Sequence, residues 1–151
     1  MKYFIKKLSV ALWMVFIYMF SSEVSTTSST RSGKIVDTVS TYLTLSEEIL
    51  TFLIRKSAHL ALYFILGVLV FSLIREYTKE TAKLIICTLA VVATYAVIDE
   101  THQMFVSGRS GEIRDVLIDV TGAAIGIGVY YGFLKYRPKN KRIINTKDSN
   151  D

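Results

Sequence analysis

Four apolar runs divide this chain, each separated from the next by a polar stretch. The first covers about residues 3–20 (YFIKKLSVALWMVFIYMF), the second about 57–74, the third 84–103 and the fourth 116–134. Each approaches the ~20 residues a helix needs to cross a bilayer. At ~1.5 Å per residue the fourth reaches about 28 Å, close to the hydrocarbon thickness. The third is strongly apolar only to Ile98, so it spans only if its helix continues through Thr101 to Gln103. That continuation draws Asp99 and Glu100 toward the membrane. The first run has the basic start and apolar middle of a signal peptide. No clear A-x-A site follows it in SSEVSTTSST, and three more spans come after, so it reads as a retained helix.

The polar stretches carry weaker patterns. Residues 21–56 begin Ser/Thr-rich and loose, then place Ile35, Val39, Tyr42 and Leu43 at roughly helical spacing, which predicts an interfacial helix. Thr44 and Glu47 fit a capping box leading into the second span. A helix from Leu45 to Ile74 would be about 45 Å long, so its first third lies in the headgroup layer or tilts. Gly122, Gly126, Gly128 and Gly132 in the fourth run give two G-x-x-x-G spacings. Packing within the bundle is the reading taken; a homo-oligomer through that glycine-rich helix is the alternative. Residues 135–151 form a basic tail suited to anionic lipid at the inner face.

Composition agrees with this picture. The 151 residues suffice for one domain, 51% are hydrophobic, and the mean hydropathy is +0.38. A net charge of +5 invites nucleic acid as a partner. Its distribution excludes that class, because the basic residues sit at the ends of apolar runs rather than on a stripe interleaved with aromatics. The one cysteine, Cys87, lies in an apolar run and permits neither an internal disulfide nor a cysteine metal site. With the N-terminus in the cytoplasm, twelve of the eighteen Lys and Arg fall inside, and nine of the thirteen Asp and Glu fall outside. The expected fold is therefore an all-α integral membrane protein with four transmembrane helices, both termini cytoplasmic and polar loops on the outer face.

Between the third and fourth runs lies IDETHQMFVSGRSGEIRDVLID, residues 98–119. Solubility does not explain so many ionisable groups between two spans. Asp115 and Asp119 are four apart, on one face of a helix, with Asp119 about a turn inside the apolar run. A carboxylate at mid-membrane costs ~2.5–3.5 kcal/mol, less near the interface, so Asp119 should face the bundle and have a partner. His59 occupies the matching place in the second run, and Asp99 shares a face with Gln103. Three helix ends thus bring ionisable groups to one level. Ordinary interfacial ion pairs, Arg55 or Lys56 with Asp115 and Arg109 with Asp99 or Glu100, would account for some of them. They do not account for two histidines and a glutamine.

RKSAH at the start of a span, Tyr63 four residues past His59, and DETHQMFVSGRSGEIRDVLIDVTG together resemble the VanZ-like family. The likeness covers about residues 3–134 and rests on Arg55, Lys56, His59, Asp99, Glu100, His102, Gln103, Phe105, Gly108, Arg109, Asp115, Asp119 and Gly122. Ser107 stands where proline is common in that family. The resemblance implies a small multi-pass protein of the bacterial cytoplasmic membrane, and its namesake is associated with resistance to teicoplanin. Three readings of the site follow. In the first, Arg109, Arg55 and Lys56 grip an anionic, lipid-linked headgroup, with Gln103, Asp115 and Asp119 in the ligand-binding set. Membrane lipids, lipid II and acylated teicoplanin are the candidate partners. In the second, an enzyme acts on a phosphate-bearing lipid, with Glu100 or Asp99 as general base, His102 or His59 as acid or base, and Arg109 on the developing charge. His59, His102, Asp99, Glu100 and Asp119 could also hold a divalent metal; no H-E-x-x-H occurs, and the reading taken names no metal ligand and no cofactor. The third, a transporter, fits poorly because the charges are confined to one end.

Overall fold

The computed structural model describes residues 1–22, 46–106 and 112–136. The expected interfacial helix, Thr44, Arg109 and the basic tail from residue 137 onward lie outside the described residues. Four helices make up the described chain: α1 (Lys2–Ser21), α2 (Glu47–Ile74), α3 (Thr81–Gln103) and α4 (Ile113–Tyr136). All four are long and apolar enough to cross a membrane, over Tyr3–Ser21, Phe52–Ile74, Thr81–Gln103 and Ile113–Tyr136. The protein is an all-helical, multi-pass membrane protein. α3 does continue past Ile98 to Gln103, carrying Asp99 and Glu100 within a helix. The start of α2 differs from the expected capping box. Ser46, with extended backbone (φ −63°, ψ 146°), is the N-cap, and Glu47 becomes the first helical residue rather than the third.

Each helix is apolar around most of its circumference, as expected where lipid replaces water. Leu12 and Phe16 of α1, Val97 and Ile98 of α3, and Val129 and Phe133 of α4 are exposed on the outside of the bundle. The inside is a narrower stripe. On α3 it runs Leu84, Thr88, Val92, Ala96, Asp99, Glu100, Gln103; on α4 it runs Asp119, Gly122, Ala123, Gly126, Ile127. Tyr63, Leu66 and Val70 supply the α2 contribution, with Val10 and Ile17 from α1.

Lipid is as apolar as leucine, so close packing and hydrogen bonds must hold such a bundle together. α2 is central and packs on each of the other three helices, most extensively on α4. There the backbones nearly touch. A Cβ at Gly122 would collide with the Leu60 carbonyl, one at Gly126 with the Phe64 carbonyl, and one at Gly67 would lie 2.7 Å from the Ala123 carbonyl oxygen. Gly128 and Gly132 face open space. One of the two G-x-x-x-G spacings is therefore consumed inside the bundle. α1 is fastened by side-chain tips: Trp13 Nε1 donates to the Leu62 carbonyl at 3.0 Å, and the Tyr95 hydroxyl donates to the Met14 carbonyl at 2.5 Å. Interhelical bonds of this kind contribute roughly 0.6–2 kcal/mol each.

Candidate functional site

The inward stripes do not stop where the apolar residues stop. One further turn of α2, α3 and α4 in the same register gives His59, then Asp99, Glu100 and Gln103, then Asp119. All of them converge at the end of the bundle where α1 and α3 finish and α2 and α4 begin. Asp119, Asp99, Glu100 and Gln103 are 0%, 2%, 4% and 4% exposed. His59 is half-buried beside them, its Nδ1 3.5 Å from Asp119 Oδ1. That separation suits an ion pair when the imidazole is protonated, but it lacks hydrogen-bond geometry. His59 Nδ1 and both Asp119 oxygens are buried without a hydrogen-bond partner. Tight helix contact is what brings them level, since Gly122 lies one turn from Asp119 and meets α2 at Leu60, one residue from His59.

Asp99 is held differently on its two sides. Its Oδ2 accepts hydrogen bonds from Ser21 Oγ (2.8 Å), the Tyr63 hydroxyl (3.3 Å) and Gln103 Nε2 (3.3 Å). Its Oδ1 is buried and has none. Glu100 accepts from Gln103 Nε2 at Oε1 (2.9 Å) and from the backbone N–H of Glu112 at Oε2 (3.1 Å). The second bond ties the end of α3 to the residue preceding α4, where unpaired backbone N–H groups favour a negative charge. One candidate ligand atom from each of His59, Asp99, Glu100 and Asp119 lies within 4.8 Å of every other.

The remaining expected site residues separate from this group. His102 turns toward α1, with Nε2 3.0 Å from Ser22 Oγ and its ring 4.4 Å from that of Tyr18. Lys56 pairs with Asp115, and its ammonium lies 5.3 Å from the Phe52 ring centroid. Arg55 is half-buried, one residue earlier on α2. Arg109 lies outside the described residues.

Three helix ends were anticipated; the structure uses four. Ser21 is fully buried and is the nearest of the Asp99 partners, and Ser22 engages His102. The available signal was the pair of hydroxyls closing the first apolar run, at the same level as the acidic cluster. The Glu112 contribution comes from the backbone and has no side-chain signature.

Chemically, the arrangement is a water-poor, oxygen-rich recess. It offers carboxylates that can accept protons or coordinate a cation, an imidazole against one of them, and the Lys56–Asp115 pair beside it. Neither the comparison with curated proteins nor that with solved structures gave a match. The family model described as VanZ/LLP1 matches residues 8–135, which include most of α1, all of α2 and α3, α4 up to its last residue, and every residue of the recess. This chain belongs to the VanZ/LLP1 family.

Proposed function

We propose that the recess opens to the outer face of the bacterial cytoplasmic membrane, with both termini inside, and binds or modifies a lipid-linked or acylated ligand. Lipid II and teicoplanin fit that description, and an effect on teicoplanin susceptibility is the physiological expectation. The observation that carries this reading is the burial of Asp99, Glu100 and Asp119 at one end of a membrane bundle. Ionisable groups at that depth are costly and mark ligand or ion sites. A second feature supports the lipid character of the ligand. An apolar groove of about 370 Å³ between α1 and α3, lined by Met14, Val91, Tyr95 and Ile98, rises to the level of Asp99. An acyl chain in that groove would place its headgroup beside the recess.

The test uses the protein in lipid nanodiscs, incubated with bacterial lipid extract and lipid II. Mass spectrometry then compares bound and bulk lipid for wild type, Glu100→Gln and empty discs. Wild type should retain or convert one lipid species, and Glu100→Gln, which keeps shape while removing charge, should reduce that signal by about tenfold or more. Equal behaviour of the two proteins would remove Glu100 from the site. An unchanged teicoplanin susceptibility on expression of the wild type would remove the physiological part of the proposal.

A further inference from the structure

Among the described residues, no lysine or arginine pairs with Asp99, Glu100 or Asp119. Lys56 is engaged by Asp115, and His59, if protonated, answers only Asp119. Buried polar groups are ordinarily hydrogen-bonded, and buried charges are paired or coordinate metal ions. Asp119 is fully buried with neither oxygen hydrogen-bonded, and Asp99 Oδ1 and His59 Nδ1 are in the same condition. We propose that His59, Asp99, Glu100 and Asp119 form a binding site for a divalent transition-metal cation, Mn²⁺ or Zn²⁺.

Three observations converge on it. The first is spacing: one ligand atom from each residue lies within 4.8 Å of all the others. Adjacent ligands at ~2.0–2.2 Å from an ion sit roughly 2.8–3.6 Å apart, so side-chain movements of about 1 Å close the site. The second is the division of labour on the carboxylates. Ser21, Tyr63 and Gln103 occupy Asp99 Oδ2 and leave Oδ1 open, while Gln103 and the Glu112 N–H hold Glu100 from both oxygens. Each Glu100 oxygen still has lone-pair capacity. Hydrogen bonds of this kind fix the ligands of metal centres in orientation and raise their affinity. The third is rigidity, because the ligands stand on three packed helices and the α2–α4 contact through Gly122 sets the His59 to Asp119 distance.

The donor set selects the ion class. Three carboxylates with one imidazole suit Mn²⁺ or Zn²⁺ better than Cu(I), which seeks sulfur, or Ca²⁺, which seeks oxygen alone. Four protein ligands leave a six-coordinate ion room for water or for a phosphate oxygen. The site does not depend on the lipid reading, since the cation is bound by this chain alone.

The experiment measures metal directly. The full chain, purified through a tag without histidines, is analysed for metal by inductively coupled plasma mass spectrometry, beside Asp119→Asn, His59→Ala and Glu76→Gln. Wild type and Glu76→Gln should carry about one Mn²⁺ or Zn²⁺ per chain, and the two recess variants less than about a tenth of that. Stripping wild type with a chelator and adding back Mn²⁺ or Zn²⁺ should raise its unfolding temperature by several degrees. Wild type that carries no metal and is not stabilised by either ion overturns the proposal, as does full metal retention by Asp119→Asn. The add-back measurement needs no variant and keeps its meaning should His59→Ala fail to fold. Loss of lipid retention with metal still bound would count against the lipid reading alone.

Discussion

The two ends of this bundle treat charge in opposite ways. At one, the Lys6 ammonium donates to the Ser72 carbonyl (3.0 Å) and to Glu76 Oε1 (2.6 Å), with about a third of each charged side chain exposed. Opposite charges meet, and both keep access to solvent. At the other end Asp99, Glu100 and Asp119 are buried and several of their oxygens lack partners. The same helices carry both ends, so the difference is not one of scaffold or composition. Residues outside the inward stripe find polar partners near the surface, whereas residues on the stripe are carried inside by helix register. Selection for stability alone favours the first arrangement. The second costs stability, and the proposed ligand or ion would offset that cost.

The largest expected effect comes from separating the helices that hold the buried end together. Gly122→Leu forces a side chain into the Leu60 carbonyl and must push α2 from α4. Overpacking costs about 1–3 kcal/mol even where side chains can adjust, and backbone against backbone leaves little adjustment. Loss of the folded, monodisperse protein on size-exclusion chromatography is the expected outcome. Gly128→Leu, which faces open space, should leave the chromatogram unchanged. A lower particle mass for that variant would mark the Gly128 face as a contact between copies of the chain. Normal behaviour of Gly122→Leu would dissolve the link drawn between close packing and the recess.

Ser21→Ala is a smaller perturbation at the same end. It removes the 2.8 Å hydrogen bond to Asp99 and leaves that oxygen with Tyr63 and Gln103. The expected loss is about 1 kcal/mol, read as a fall of roughly 2–4 °C in unfolding temperature. Adding Mn²⁺ or Zn²⁺ should restore part of it, because Asp99 Oδ1, the oxygen open to the proposed ion, is untouched by the change. A fall that metal leaves untouched would make Ser21 a structural tie and nothing more.

Much of this was legible in the sequence, for a simple physical reason. A membrane helix is read from length and hydropathy, and both are local properties. Convergence of His59, Asp99, Gln103 and Asp119 was equally accessible, because each lies near the end of an apolar run and those ends fall on the same side of the expected topology. What escaped depends on rotation about the helix axis and on backbone groups. His102 is close in sequence to Asp99, yet it falls on the flank that faces α1 and meets Ser22 there. Ser21 looked like the start of a loose Ser/Thr stretch, but α1 continues through it and buries it. α2 starts after Ser46 rather than after Thr44, and the Ser46 side chain makes no capping hydrogen bond there. Local sequence does not choose between such neighbours.

The smallest expected effect lies at the solvent-accessible end and is the control for the whole comparison. The hydrogen bond from Lys6 holds the Glu76 carboxyl below its ordinary value of 4.5. A depressed value in the folded state means that the pair stabilises above the ordinary glutamate range and loses its contribution as pH falls through the folded value. The unfolding temperatures of wild type and Glu76→Gln should therefore differ slightly at neutral pH, by about 1 °C or less, and converge in acid. Raised salt should shrink the neutral-pH difference as well, since an exposed pair is screened. Differential scanning fluorimetry across that pH range checks both. Because Glu76 remains wet whether or not Lys6 is beside it, removing its charge leaves no buried group stranded. A Glu76→Gln effect exceeding that of Ser21→Ala would reverse the ranking of the two ends and place the costly electrostatics where the geometry shows none.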